Sequence, residues 1–122
     1  MEQISNATGN HVYINYNIFK TSCLDEKEYV TFTKTIVESM TNALKDNLTF
    51  ILHINMENIT LLDLEKYMSY FKQLAQTLQM LFPNKLEKGY VYNAPSFIKA
   101  AYAVFFKLFM DTVTQKKIII VE

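Results

Sequence analysis

The sequence runs to 122 residues, 50% apolar and 14% aromatic, which is enough for one packed domain, too short for two and too apolar for a disordered chain. Twelve lysines balance twelve acids with no arginine, so there is neither a net field nor a guanidinium fork to draw nucleic acid, which is not an expected partner. The single Cys23 allows no internal disulfide, no window approaches the roughly 20 apolar residues of a membrane span, and the polar start after Met1 carries no secretory signal; the expected setting is cytoplasmic.

Residues 1–10 are polar, contain Gly9 and show no period, so they read as a flexible lead-in, with the domain proper over 11–122. From His11 the pattern alternates, Val12, Ile14, Tyr16 and Ile18 on one side and His11, Tyr13, Asn15 and Asn17 on the other. That predicts a half-buried strand at a sheet edge. Ser22 and Asp25 have capping-box spacing, and Tyr29, Phe32, Ile36, Met40, Ala43 and Leu44 then recur at helical spacing, so a helix is expected to end near Asp46-Asn47. Leu48 to Ile54 is nearly all apolar and predicts a central strand covered on both faces. Thr60 and Asp63 repeat the capping spacing and open a second helix, with Leu64, Tyr67, Phe71, Leu74, Leu78 and Leu81 on its apolar side and Pro83 as its stop.

After a turn over residues 83–89, Tyr90, Val91 and Tyr92 form a strand. Asn93 is placed to cap the next helix, and Pro95 fits a first-turn position that needs no backbone N–H. Phe97, Ala100, Ala101, Val104, Phe105 and Leu108 follow at helical spacing, and residues 111–117 lead into a last strand, Ile118 to Val121. The fold class is therefore α/β, with a mixed, mostly parallel four-stranded sheet and three main helices.

The run Tyr90-Val91-Tyr92-Asn93-Ala94-Pro95-Ser96-Phe97, then Lys107-Leu108-Phe109-Met110-Asp111-Thr112-Val113-Thr114 and Lys117-Ile118, resembles the signature half of a CRAL-TRIO domain. Members of that family carry an apolar strand, Asn-Ala-Pro, a helix, a Lys-Pro-Phe-Leu-type end, a Thr-containing turn and a Lys-Ile strand in this order. Gly9-Asn10-His11-Val12-Tyr13 is similar to the family's first strand. Phe50-Ile51-Leu52-His53-Ile54 stands where the family has Ile-Leu-Asp-Leu, and Phe82-Pro83-Asn84-Lys85 stands where it has Tyr-Pro-Glu-Arg. The resemblance covers roughly 9–121 and implies a minimal lipid-binding, lipid-transport domain. It also implies that the family's preceding helical segment and its closing gate helix are missing. The motif Glu, which contributes to headgroup selection in phosphoinositide-binding members, is absent, as is the strand Asp, here His53, and Met56 lies near a usual Gly.

No residue pattern points to catalysis, to a cofactor or to a metal. His53 has only His11, on another strand, as a companion, and a zinc site needs three or four converging ligands; it reads as structural. Cys23 beside a helix start reads as a small packed residue rather than a lowered-pKa thiol. Asp25 with Glu28, and Asp63 with Glu65, sit at helix starts and read as caps and dipole partners rather than as acid–base pairs. With Gly9 and Gly89 the only glycines, neither a Rossmann fingerprint nor a Walker loop exists, and no G-x-S-x-G elbow is present.

The apolar strands point to function. The resemblance implies helices on one face of the sheet, which would leave a second apolar face in need of a cover. The expected contacts for a lipid such as a phospholipid, without catalysis, are Phe50, Leu52, Ile54, Val91, Ile118 and Ile120. The alternative is a protein interface on the uncovered face, most simply a homodimer, and peripheral membrane contact is a further expectation. A regulatory domain of the anti-sigma-antagonist type, with Ser96 as its phosphorylatable serine, fits the Asn93-Ala94-Pro95 context less well.

Overall fold

The structure, a computed structural model, describes residues 4–22, 25–104 and 106–121; the readings of Cys23 and of Phe105 fall outside the described residues. Five strands form one sheet in the order β1-β2-β3-β4-β5. They are β1 (Ser5–Thr8), β2 (His11–Asn15), β3 (Phe50–Asn55), β4 (Leu86–Tyr92) and β5 (Ile118–Ile120). The helices are α1 (Tyr16–Ser22), α2 (Glu28–Ala43), α3 (Leu61–Leu81), α4 (Ser96–Val104) and α5 (Thr112–Lys117), with a 3-10 turn at Phe106–Phe109.

The α/β class with a mostly parallel sheet is as expected, with one strand more. That strand is β1, inside the stretch read as a flexible lead-in. It pairs antiparallel with β2, Ser5 against Ile14 and Thr8 against His11, across the two-residue turn Gly9-Asn10. Gly9 takes φ +61° there, a left-handed value open to a residue without Cβ. β1 therefore holds the sheet edge expected for the His11 strand, and β2 is internal and parallel to β3. β2 also stops sooner than its alternation suggested. Asn15 accepts the Ile18 N–H on its side chain, and Tyr16 and Phe19, three apart, are buried from a helix rather than from a strand.

At α3 the sequence reading and the structure coincide: Thr60 and Asp63 exchange both capping-box hydrogen bonds, each 3.1 Å. The box expected at Ser22 and Asp25 does not form. Asp25 instead closes a turn by accepting from Lys27 N–H at 2.8 Å, and α2 starts at Glu28 without a side-chain cap. Asn93 is not a cap either. It is left-handed at φ +57° and donates its side-chain amide to Asn55 at 3.0 Å, tying the ends of β3 and β4 together. The helix after it begins at Ser96, with the Ile98 N–H bonded to Pro95 O. Beyond Val104 the long helix expected through Leu108 gives way to the 3-10 turn and α5, which Asp111 caps by accepting from Thr114 N–H at 2.7 Å.

Because β2, β3, β4 and β5 are parallel neighbours in chain order, right-handed crossovers place every connecting helix on the same face. Val12, Phe50 and Leu52 on that face pack with Ile36, Met40 and Ala43 of α2. A second cluster joins Tyr16 and Phe19 of α1 to Phe32, Leu64, Tyr67, Tyr70, Ile98 and Ala101. The register of β4 shifts beside Phe50, so that Leu86 pairs with Phe50 and Lys88 with Ile51. This bulge at Glu87 lets Leu86 and Gly89, three apart, both face the helices.

Among the described residues the opposite face carries no helix, and it is not the apolar surface that was expected. Alternation and register put His11 and Tyr13 of β2, His53 of β3 and Tyr90 and Tyr92 of β4 there, stacked ring on ring. β3 is accordingly a central strand covered on one face only, and its neighbours Ile51 and Ile119 share their face with rings and amides.

Candidate functional site: an apolar cavity between sheet and helices

The six residues expected to touch a ligand fall together. Phe50, Leu52 and Ile54 of β3, Val91 of β4, and Ile118 and Ile120 of β5 all line one cavity of about 240 Å³. Their common direction follows from period-two alternation and from the parallel register that pairs Ile54 with Val91 and Val91 with Ile120. One part of the expectation is corrected. These side chains lie beneath the helices, with Phe50 at 3% and Leu52 and Val91 at 8% exposure, so the cavity sits between sheet and helices and not on a bare face.

The facing wall comes from Ile36 and Met40 of α2, Leu74 and Leu78 of α3, and Ile98 and Tyr102 of α4. α2 lies directly on β1 and β2, whereas α3 makes its main approaches to α2 and the 3-10 turn. That stand-off leaves the space open. Sequence reasoning placed these helix residues in the core by default; their spacing on each helix was legible, but the gap between layers was not.

The wall hides its polar atoms. Tyr70 hydroxyl hydrogen-bonds with Thr33 Oγ1 at 2.9 Å, and Tyr102 hydroxyl donates to Gln115 O at 3.1 Å. Burial raises the Tyr102 phenol above its ordinary range. The tips of both rings are thus engaged by the protein, and their apolar bodies remain for a ligand.

Charged and amide groups of the wall gather where α3 ends and α5 begins. There Gln79 accepts from Asp111 N–H at 2.9 Å, and Lys117 donates to Leu86 O at 2.7 Å. Asn84 and Asp111 are exposed, so the cavity meets solvent at this end. The Thr114 backbone and hydroxyl, with Lys117 nearby, hold the Asp111 carboxyl below its usual value. Bound to these partners, Asp111 is an anion and a helix cap, not a proton donor. Among the described residues no group of three His, Cys, Asp or Glu converges to hold a metal, and no helix is long and apolar enough to cross a membrane.

A cavity with apolar walls and its few polar groups gathered at the solvent end has the chemistry common to small-molecule sites. The comparisons with known proteins agree with the architecture. The solved structure of Sfh5 superposes with a TM-score of 0.72 at 18% identity, over 96% of this chain and 47% of that one. The chain thus spans about half the length of that protein, and the likeness is one of fold. A search of curated protein sequences finds no match. The profile of the CRAL/TRIO domain matches residues 9–122, and with nearly its whole length covered the chain belongs to the CRAL-TRIO family of lipid-binding domains.

Proposed function

We propose that the chain binds one apolar, lipid-like molecule without catalysis, with Phe50, Leu52, Ile54, Val91, Ile118 and Ile120 as the sheet-side contacts. The observation that carries this reading is the apolar cavity of about 240 Å³ on which all six converge. That volume lies just below the roughly 300–1,000 Å³ of small-molecule sites, so it suits a single chain or a compact ring system. A two-chain phospholipid is larger than this cavity.

Exchange of the ligand at a membrane surface in the cytoplasm fits the segment that borders the opening. Val104 and Leu108 are 59% and 81% exposed there, and Lys99, Lys107, Lys116 and Lys117 outnumber the single acid Asp111 over residues 94–121. Self-association is the second reading. It draws on β5, an edge strand, and on Ile119 and Val121, 39% and 38% exposed.

Mass spectrometry of an organic extract, with uptake of a fluorescent fatty acid, tests the first reading. Ile54→Trp fills the cavity and should reduce uptake at least tenfold, while Ile51→Trp on the opposite face should leave it unchanged. Equal uptake by both variants, or none by the parent protein, overturns it.

A further inference from the structure

β2 and β3 end on asparagines in register, Asn15 beside Asn55, and Asn93 follows directly on the end of β4. The region outside the carboxyl ends of parallel strands is where open α/β sheets receive ligands. Here the three amides line a solvent-open groove of about 900 Å³ together with Asn6, Tyr13 and His53, within the roughly 300–1,000 Å³ of small-molecule sites. The groove shares Ile4 and Ile14 with the apolar cavity and is otherwise distinct from it.

Backbone bonds fix which way each amide points. An N–H must be accepted by an oxygen, so the Ile18 N–H at 3.3 Å holds Asn15 Oδ1 and the Glu57 N–H at 3.0 Å holds Asn55 Oδ1. The same Asn55 oxygen receives the Asn93 amide at 3.0 Å, which therefore approaches through its nitrogen. The opposite ends are left for a ligand: Asn15 Nδ2 and Asn55 Nδ2 as donors and Asn93 Oδ1 as an acceptor. A hydroxyl answers either kind, since it both donates and accepts.

Tyr13 supplies a flat wall. One face of its ring lies on His53, with centroids 4.8 Å and planes 14° apart, yet the residue is 41% exposed. The open area is the other face and the rim, on the side of its register partner Asn6 in β1. An aromatic face is negative and attracts the weakly positive C–H groups of a saturated ring. None of the lining residues is Lys, Asp or Glu, and burial, with His11 second, lowers the His53 pKa, so that imidazole is uncharged at neutral pH. A phosphate or carboxylate would find no counter-ion in the groove. We propose that the groove binds an uncharged sugar ring, a pyranose that lays its C–H face on Tyr13 and meets Asn15, Asn55 and Asn93 through its hydroxyls.

Saturation-transfer NMR on the full chain with glucose, galactose and mannose, each at about 50 mM, tests this. Transfer to the ring protons of at least one hexose is expected, with a dissociation constant on the order of 1–10 mM. Tyr13→Ala should weaken binding roughly fivefold or more, and so should Asn93→Gly, which keeps the left-handed φ of +57° accessible. Silence from all three hexoses overturns the proposal, as does equal binding by the parent protein and both variants. Glucuronate or uridine bound more tightly than any hexose overturns it too, by assigning the groove to an anion or a base. The parent protein gives a reading independent of variant folding: its Asn15 and Asn55 side-chain NH2 resonances should move on titration with the hexose, and resonances that stay fixed at saturation overturn the site.

Discussion

The two faces of this sheet are made by the same strands and behave as different materials. On the helix side, Val12, Phe50, Leu52 and Val91 are buried against α2 and around a cavity. On the open side the alternate residues of the same strands, Tyr13, His53, Tyr90 and Tyr92, cover one another by stacking, and a hydrogen bond joins His53 to Tyr92. An aromatic ring with a polar tip can remain partly wet at little cost, whereas an Ile or Leu cannot. A sheet therefore need not have its second face covered, provided that face is built from rings rather than aliphatic side chains.

Removing matched side chains from the two faces measures that contrast most directly. Ile36→Ala, at 1% exposure on the helix side, should cost about 2–5 kcal/mol in urea unfolding; Ile119→Ala, 39% exposed on the other, should cost less than about 1 kcal/mol. Equal losses would mean that the open face is packed too. Gly89→Ala tests how closely β5 approaches β4, because an added Cβ would stand 2.7 Å from Ile118 Cδ1. We expect a loss of about 1–2 kcal/mol, largely relieved when Ile118→Val is added.

A smaller effect belongs to the first turn of α3. Burial works against the charge of Asp63, but Lys20 at 2.9 Å, the Thr60 N–H and Tyr16 outweigh it and hold the carboxyl below its ordinary value. The folded pKa is thus below the unfolded one, so the stabilisation is complete above the unfolded pKa of about 3.9 and is lost as pH falls through the folded value. Asp63→Asn should cost about 1 kcal/mol at neutral pH, and the difference from the parent should vanish in acid; a gap that persists at pH 2 would contradict the assignment. The smallest expected change is a gain. Ser5 is 1% exposed on the helix side, and its hydroxyl has no hydrogen-bond partner among the described residues. Ser5→Ala should raise stability by about 0.5–1 kcal/mol, and a loss would reveal a partner for that hydroxyl.

Signals carried by short stretches were legible in the sequence. The capping box at Thr60 and Asp63 and the stop of α3 before Pro83 formed as read, and the apolar stripe of α3 did so as far as Leu78, with Leu81 left 48% exposed. So did the alternation that sorts Phe50, Leu52 and Ile54 to one side of β3. Some signals were present and unread: Gly9-Asn10 between short alternating runs is a hairpin cue, and the Asp111 to Thr114 spacing is a cap. Ser22 and Asp25 show the reverse case, since correct spacing does not make a cap unless the backbone between them is already helical.

The sequence by itself determined the α/β class, the family and which strand residues share a face, because periodicity and local caps are properties of a few neighbouring residues. Only the tertiary structure decided that the apolar face looks toward the helices, that α3 stands off the sheet to leave a cavity, and that His11 meets His53. Those facts depend on strand order, crossover hand and the spacing of layers, which are set by contacts between residues far apart in the chain and have no counterpart in any local pattern.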